Sequence, residues 1–427
     1  MAKVVKLERP TKSGRKAQPQ RSTASRRRPR QSRTALVLGG GGFTGGVYEI
    51  GALRALDLLA VNRTVNQFDV YVGTSAGSFV ASLTANGVTP EEMMRVVNQQ
   101  VPTPFRDIDL GTLLRPNYLD FVRSLALLPL RSVGVLRTMV QNLGQVSVMD
   151  LAVGLAESLP PGLYDGGSLQ SYIEDVLSDP DRSNDFRLLQ NELFLTATDL
   201  DTCERVVLGG EDWDDVPISR AVAASTALPM VYKPVEIKGR HLVDGGIRST
   251  TNVDVAVEQG AKFIIVVNPL VPYVNDFQKV IPTMWGSRVR RVADMGFPQV
   301  GYQAFKLLAH QRLHEAVRNW QEKYPGVDII LIEPEPNDEL MFHTNILNYT
   351  KRLEIARHGF ESVTLRLAKD YDELRAICAK HGIEISATRV RKVLKHMDRE
   401  REKTRAWRRV LEQTTGALLR QSASEEG

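Results

Sequence analysis

A serine in a glycine-flanked pentapeptide is the residue whose surroundings most clearly suggest chemistry. Ser75 lies in Gly73-Thr74-Ser75-Ala76-Gly77, between an apolar run that ends at Gly73 and a run of small residues that begins at Ala76. This is the G-x-S-x-G spacing in a strand–turn–helix context, where a sharp turn exposes the serine hydroxyl. The N-terminus of the following helix favours developing negative charge. The pattern predicts a nucleophile for acyl transfer.

A glycine-rich loop, Gly39 to Gly46, follows one apolar run directly and precedes a helical pattern. Glycine lets a backbone turn tightly and approach a ligand, and unpaired N–H groups at a helix start attract anions. Such a loop can hold an oxyanion or a phosphate. It contains the dinucleotide-binding spacing Gly40-x-Gly42-x-x-Gly45, but that motif needs an acid about 20 residues later, at a strand end. Asp69 is further away and starts a strand, so nucleotide binding stays the weaker alternative.

An activated serine needs a base, which in a triad is a histidine. The histidines are His241, His310, His314, His343, His358, His381 and His396. In the hydrolase chain order the histidine comes last, yet His310 and His314 lie on a charged helical pattern with no glycine-rich turn, as surface or packing residues would. Asp244, in Asp244-Gly245-Gly246 after an apolar run, can face a cleft from a tight turn. It is therefore the candidate base, the alternative being an aspartate that caps a helix.

Apolar runs that alternate with helical patterns predict the elements that position these residues. A strand is expected at Ala35–Leu38, a helix from about Gly45 and a second strand at Phe68–Gly73. The later expected strands are Leu193–Ala197, Arg205–Leu208, His241–Val243, Phe263–Val267 and Asp328–Ile332. Strands alternating with helices favour a three-layer α/β/α sandwich around a mostly parallel sheet.

Composition divides the chain into a leader, a central domain and a C-terminal region. Residues 1–33 are rich in Arg, Lys, Ser and Pro without an apolar period, which predicts a disordered basic leader. The α/β hydrolase domain is expected over residues 34–335, with a helical, apolar and basic insertion at 100–160 that we interpret as a lid or as packing on the core. Residues 336–427 are expected to be helical and to become basic near their end.

The ordered set of motifs resembles the patatin-like phospholipase family from about Thr34 to Asn268. The glycine loop is similar to its oxyanion-hole loop, the Ser75 pentapeptide to its nucleophile elbow and Asp244-Gly245-Gly246 to the motif of its dyad aspartate. The resemblance implies a Ser75–Asp244 dyad, oxyanion donors at Gly40, Gly41 and Gly42, a lipid acyl ester substrate, and neither metal nor cofactor. Thr44 departs from the family, which usually has Arg or Lys there, so the preferred lipid stays open, as does a non-catalytic lipid-binding or scaffold protein.

Charge is distributed unevenly along the 427 residues. The leader holds 12 Lys or Arg and one acid, whereas the whole chain carries a net charge of only +5, so the remainder is acidic. A second basic segment, Arg389 to Arg409, holds 10 basic and 3 acidic residues together with Trp407. We expect these segments to contact an anionic membrane peripherally rather than nucleic acid. Two cysteines and no apolar signal core predict a cytoplasmic protein at the inner membrane face, with organellar targeting as the alternative.

Overall fold

The computed structural model describes the chain in several stretches, which hold the sheet and most of its helices. These are residues 32–98, 115–124, 126, 159–275, 281–282, 288–289, 291–336, 338, 340–341 and 351–399. Among these residues no helix combines the length and the apolar composition that crossing a bilayer requires. The leader up to residue 31, most of the 100–160 insertion with its proposed lid, and the basic segment beyond residue 399 lie outside the described residues.

The strands expected from the sequence are all present, with shorter ones added between them. The strands of the described chain are β1 (Thr34–Leu38), β2 (Val70–Thr74), β3 (Gly162–Tyr164), β4 (Glu192–Asp199), β5 (Arg205–Leu208), β6 (Met230–Tyr232), β7 (Val235–Ile237), β8 (Arg240–Asp244), β9 (Phe263–Val267), β10 (Ile281–Pro282), β11 (Arg288–Val289) and β12 (Asp328–Ile332). The expected strand at His241–Val243 is one residue longer at each end, and the second strand begins two residues later than expected.

Helices fill most of the intervals between these strands. The helices of the described chain with α geometry are α1 (Gly42–Leu59), α2 (Ala76–Ala85), α3 (Pro90–Asn98), α4 (Gly167–Leu177), α5 (Ile218–Ser225), α6 (Val253–Glu258), α7 (Phe297–Lys323), α8 (Arg352–Lys369) and α9 (Tyr371–Lys380). Further helical residues occur at 118–124, within the predicted insertion, and at 387–399.

The main sheet has eight strands in the order β12-β9-β1-β2-β4-β8-β7, with β5 also paired to β4. The five strands from β12 to β4 are parallel, and β5, β7 and β8 run antiparallel to their neighbours. The predicted mostly parallel α/β/α sandwich is therefore confirmed. Its antiparallel edge was not expected, because a parallel or antiparallel partner is not encoded in the apolar pattern of a single strand.

Both faces of the central sheet are covered, which explains why β1 and β9 are apolar at nearly every position. In β1, Leu36 and Leu38 face a core formed with α1, α2 and α8. The alternate residues Ala35 and Val37 face a second core formed with α6 and α7. Successive side chains of a strand point to opposite faces, so a strand between two helical layers has no polar side. The carboxyl ends of β1 and β2 then carry the glycine loop and Ser75.

The helix α8 packs closely on α1 through two glycines. A Cβ atom added at Gly51 would overlap the carbonyl oxygen of Ala356, and one added at Gly359 would overlap the carbonyl oxygen of Tyr48. Both sites need hydrogen as the side chain because the two helix backbones touch there. Since α1 begins at the glycine loop, the contact between α1 and α8 helps to hold that loop in position.

Replacing Gly51 by alanine is expected to lower the free energy of unfolding by about 2–3 kcal/mol, because the new methyl group must push α8 away from α1. Urea unfolding followed by circular dichroism measures the change. The matched control is Gly301→Ala on α7, where an added Cβ meets no atom within 4 Å. Better helix propensity should leave this control neutral or stabilised by up to about 1 kcal/mol. Equal stability of the two variants would contradict a backbone contact at Gly51.

Candidate active site

Ser75 occupies the turn between β2 and α2 in a conformation that side chains seldom adopt. Its φ is 54° and its ψ is −128°, outside the favoured regions for a residue with a Cβ. A Cβ atom at Gly73 would lie 2.5 Å from Cα of Ser78, and one at Gly77 would overlap the carbonyl oxygen of Leu38. The flanking glycines therefore let α2 start directly against the sheet. This is the sharp turn that the G-x-S-x-G spacing predicts.

The position of Asp244 follows from the pairing of β4. Thr196 pairs with Thr74 of β2 on one edge of β4, while β5 occupies the other edge. The next residue, Ala197, pairs with β5 on the same edge as Thr196 does. Ala197 also pairs with Asp244 of β8, and this pairing must therefore use the opposite edge of β4, which β2 occupies as far as Thr196. Asp244 therefore lies on the same edge of β4 as β2, immediately beyond Thr74. This register brings Asp244 to Ser75 across 169 positions of sequence.

The two side chains make a direct hydrogen bond. Ser75 Oγ donates to Asp244 Oδ2 at 2.6 Å, and the backbone N–H of Gly246 donates to Asp244 Oδ1 at 2.7 Å. Ser75 is 7% exposed and Asp244 is 3% exposed. Asp244 also terminates β8, and the N–H that it accepts belongs to the second residue of the turn at Gly245–Ile247, so its carboxylate is held in place by its own turn. The helix-capping geometry expected as the alternative thus coexists with the contact to Ser75.

Burial changes the proton affinity of Asp244. Loss of solvent raises the pKa of its carboxyl group from 3.8 to about 6, and the hydrogen bonds from Ser75 and Gly246 partly oppose this rise. A carboxylate with such a pKa is ionised at neutral pH yet is a stronger base than an exposed aspartate. Burial thereby brings the group toward the range that proton transfer at neutral pH requires.

Polar side chains close to the dyad connect β2, β4 and the segments that carry Ser225 and Asn252. Asn252 Nδ2 donates to Thr74 Oγ1 at 2.9 Å and to Thr196 Oγ1 at 3.0 Å, and these two hydroxyls lie 2.8 Å apart. Ser225 Oγ accepts the backbone N–H of Ser75 at 2.9 Å and donates to the Thr196 carbonyl at 2.7 Å. Sequence reasoning did not identify Asn252 or Ser225. Neither has a local signal, since each acts on partners far away in the chain.

The glycine loop passes directly beside the serine. A Cβ atom at Gly40 would lie 3.2 Å from Ser75 Cβ and 3.8 Å from Ser75 Oγ. The absence of a side chain at Gly40 therefore leaves space beside the serine. The Gly40 N–H, however, donates to the Thr250 carbonyl at 3.2 Å. Gly41 and Gly42 stand at the N-cap and first position of α1, where N–H groups have no acceptor within the helix. Their N–H groups are thus better placed than that of Gly40 to receive an anion.

A narrow cavity of about 160 Å³ lies over the dyad and the loop. Its apolar wall includes side chains from α1, α2, α3, α4, β6 and α7, among them Val47, Phe79, Val97, Leu169, Val231 and Phe305. Thr44, which stands where the resembled family has a cation, is 3% exposed and is not among the described residues of this wall. The cavity therefore suits an uncharged, flexible chain.

The described histidines do not contribute to this cavity. His381 Nε2 lies 2.8 Å from Asp328, His358 pairs with Asp338, and His241 is an exposed residue 3.5 Å from Asp201. His343 falls outside the described residues. Asp244 is the group that contacts the Ser75 hydroxyl, as the position of these histidines in the sequence suggested.

Ser75 is a buried serine on a strand-to-helix turn, hydrogen-bonded to a carboxylate at the carboxyl end of a mostly parallel sheet. This arrangement is typical of serine hydrolases. Within that class, the model of the patatin-like phospholipase family matches residues 36–257, just over half of the 427-residue chain. The chain belongs to the patatin-like phospholipase family. This confirms the resemblance that the three motifs indicated.

Individual known proteins resemble the chain more distantly. The uncharacterized protein YqhO of Bacillus subtilis (strain 168) is 25% identical over 225 residues, which are 48% of this chain and 64% of that protein, so the chain spans less than two thirds of this relative. The crystal structure of VipD from Legionella pneumophila aligns with a TM-score of 0.35 at 15% identity, covering 80% of this chain and 67% of VipD. The crystal structure of the type III effector protein ExoU aligns with a TM-score of 0.33 at 16% identity, covering 78% of this chain and 52% of the ExoU chain.

Proposed function

We propose that this protein is a serine acyl hydrolase of lipids in which Ser75 is the nucleophile and Asp244 the general base. The observation that carries the proposal is the 2.6 Å hydrogen bond from Ser75 Oγ to a buried carboxylate at the floor of an apolar cavity. An unreactive serine has no need of a strained turn and a desolvated base, whereas a nucleophile needs both.

The geometry supports a two-step reaction. Ser75 Oγ attacks the ester carbonyl while its proton passes to Asp244 Oδ2, and the carbonyl oxygen becomes an oxyanion. Collapse of this intermediate breaks the ester bond, and the leaving alcohol takes the proton from Asp244. Water then attacks the acyl-enzyme with Asp244 again as base, and the acyl–oxygen bond to Ser75 breaks, which frees the fatty acid and restores the hydroxyl.

The glycine loop supplies the oxyanion site in this proposal. The N–H groups of Gly41 and Gly42 are the principal donors, and the α1 N-terminus adds its positive end. The predicted contribution of Gly40 requires its N–H to leave the Thr250 carbonyl, so we assign Gly40 chiefly the role of leaving room beside Ser75. One oxyanion donor is typically worth about 3 kcal/mol of barrier, which is about 100-fold in rate.

The substrate is a fatty-acyl ester, since the wall of the cavity is apolar and a long acyl chain gains about 0.8 kcal/mol per buried methylene. The glycine loop lacks the acid about 20 residues later that would bind a ribose, which disfavours the nucleotide-binding alternative. The hydrogen bond between Ser75 and Asp244 likewise disfavours a non-catalytic scaffold. Peripheral contact with an anionic membrane through the basic leader and the basic C-terminal segment, at the cytoplasmic face, belongs to the same proposal.

A fluorophosphonate probe tests the proposal, because it phosphonylates an activated serine and spares ordinary ones. We expect one adduct per chain, mapped to Ser75 by mass spectrometry. The labelling rate should rise as pH increases through about 6, because only the ionised Asp244 can accept the serine proton and its pKa is raised to about 6. Heat-denatured protein is the control. An adduct at another residue, or a rate unaffected between pH 5 and 8, would be incompatible with the dyad.

Replacing Leu169 by tryptophan is expected to shorten the acyl chains that the enzyme accepts. Leu169 is half-buried on α4 and lines the cavity, so a larger ring removes space for several methylenes. The ratio of kcat/KM for a hexadecanoyl ester to that for a butanoyl ester should fall roughly 10-fold or more, the loss expected for two methylenes. Leu188→Trp is the control, because Leu188 is 73% exposed and lies outside the wall. An unchanged ratio would place the acyl chain elsewhere.

A further inference from the structure

A second group of chemistry-bearing side chains lies outside the wall of the dyad cavity. His310 and His314 are four residues apart on α7, which places both imidazoles on one face of the helix. Their ring centroids are 4.0 Å apart. Glu333 follows the last residue of β12 and meets them from the sheet, with its Oε2 at 2.9 Å from His314 Nε2. Sequence reasoning treated both histidines as surface or packing residues, because their carboxylate partner is 19 positions away.

The three side chains converge as metal ligands do. One ligand atom from each of the three lies within 4.8 Å of the others, and each residue is partly buried. Ligands at about 2.0–2.2 Å from a tetrahedral metal ion stand roughly 3.3 Å apart, so small rotations of these side chains suffice to close a site. Among the described residues no other group of three His, Cys, Asp or Glu side chains meets this condition.

The carboxylate of Glu333 is oriented from behind. Its Oε1 accepts a hydrogen bond from Asn268 Nδ2 at 2.7 Å, and Asn268 is fully buried directly after β9. The Glu333 side chain is 9% exposed, and within the described part of the chain its ion-pair partner is His314. A buried partner that fixes a ligand carboxylate is the usual second layer of a metal site. Oε2 is thereby left to point at the two imidazoles.

The donor types also suit a cation. A neutral imidazole offers one nitrogen lone pair and is the form that binds metal ions, and a carboxylate offers oxygen lone pairs. His310, His314 and Glu333 together thus present two nitrogen donors and one oxygen donor.

We propose that His310, His314 and Glu333 form a binding site for one divalent transition-metal ion of the zinc type. Two imidazoles and one carboxylate suit Zn²⁺ and its neighbours, whereas Mg²⁺ and Ca²⁺ prefer oxygen ligands alone. The His314 side chain is 42% exposed, which leaves the ion a coordination position open to solvent. The proposal does not depend on the Ser75–Asp244 chemistry, and no step of that reaction passes through the ion.

The consequence is a cross-link between α7 and the end of β12. The same helix contributes Tyr302 and Phe305 to the wall of the dyad cavity. Binding a metal ion at His310 and His314 would therefore hold this wall against the sheet. The role we assign to the ion is structural, and its first readouts are metal affinity and thermal stability rather than hydrolysis.

Zinc titration of the full chain tests the proposal. Protein stripped with a chelator is titrated with ZnCl₂ against a chromophoric competitor at pH 7.5. We expect one Zn²⁺ per chain with a submicromolar Kd, and a rise in melting temperature on loading. His310→Gln and His314→Gln should each weaken binding by more than about 100-fold, since the loss of even an outer partner costs 10- to 100-fold. Glutamine keeps a polar side chain at these partly exposed sites, so both variants should fold.

The matched control is His241→Gln, which removes an exposed histidine that faces an aspartate but, among the described residues, belongs to no cluster of three possible ligands. This variant should bind Zn²⁺ as the wild type does. A Kd above about 10 µM, or equal affinities in wild type, His310→Gln and His314→Gln, would overturn the proposed site.

Discussion

Replacing Ser75 by alanine is expected to lower kcat/KM for a fatty-acyl ester by roughly 10⁴-fold or more. The Oγ atom is the nucleophile in our proposal, and without it only uncatalysed attack by water near the glycine loop remains, as in other serine hydrolases deprived of their nucleophile. The fold should persist, because alanine keeps the Cβ and the backbone N–H that Ser225 accepts. Initial rates with a soluble ester and with lipid vesicles measure the loss.

The matched control for this variant is Ser82→Ala. Ser82 lies on the same helix, α2, but its hydroxyl donates to the Phe79 carbonyl and has no contact with the dyad. Its hydrolytic activity and its labelling by the fluorophosphonate should equal those of the wild type. If purified Ser75→Ala retained a substantial part of the activity, another residue would have to be the nucleophile and the proposed function would lose its basis.

Replacing Asp244 by asparagine should lower kcat/KM by about 10³- to 10⁴-fold and at the same time stabilise the protein at neutral pH. Asparagine has the same shape and keeps an oxygen for the Gly246 N–H, but it cannot take a proton from Ser75. Loss of the orienting carboxylate in a catalytic triad has an effect of this size. The gain in stability follows because the buried carboxylate of the wild type is ionised at a cost.

The direction of the stability change with pH follows from the raised pKa. Because the pKa of Asp244 is 3.8 in a solvated carboxyl and about 6 in the folded protein, ionisation opposes folding. The cost is absent below about pH 4, develops as pH rises to 6, and is then about 3 kcal/mol at 1.36 kcal/mol per unit of pKa. Asp244→Asn should therefore exceed the wild type in stability at pH 7.5 and lose this advantage at pH 4.

Urea unfolding at both pH values measures this difference, and ester hydrolysis on the same samples measures the loss of catalysis. Asp181→Asn, which removes an exposed carboxylate remote from the cavity wall, is the control and should change neither quantity. A variant at position 244 that loses activity together with stability at neutral pH would indicate a structural rather than a catalytic aspartate.

Much of the sheet could be predicted because its signals are local. The run Ala35-Leu36-Val37-Leu38 is apolar at each position since both faces of β1 are covered, and the glycines after it mark the turn. β5, β9 and β12 have the bounds expected from the sequence for the same reason. The antiparallel edge formed by β7 and β8 was not predicted. Its formation depends on which edge of β4 is vacant, and no single strand encodes that.

The proposed catalytic pair, Ser75 and Asp244, combines local and long-range signals in the same way. Residues within two positions of Ser75 suffice to predict its turn, because glycine and small side chains are needed where α2 starts against the sheet. Asp244 was chosen by motif and by the unsuitable context of the histidines, but its 2.6 Å contact with Ser75 arises from the change of partner on β4 between Thr196 and Ala197. The rise of its pKa also needs the folded cavity, because desolvation is a property of surroundings.

The amino-acid order thus specified the strand-to-helix turns, the glycine loop, the candidate serine and the family, since each depends on neighbours only a few residues apart. Folding specified the rest. Ser225 and Asn252 acquired their roles under the dyad from strand register, the N–H of Gly40 was engaged by Thr250, and Glu333 was brought to His310 and His314 by the packing of α7 against β12. Such contacts join residues that are distant in sequence, so they exist only once the chain is packed.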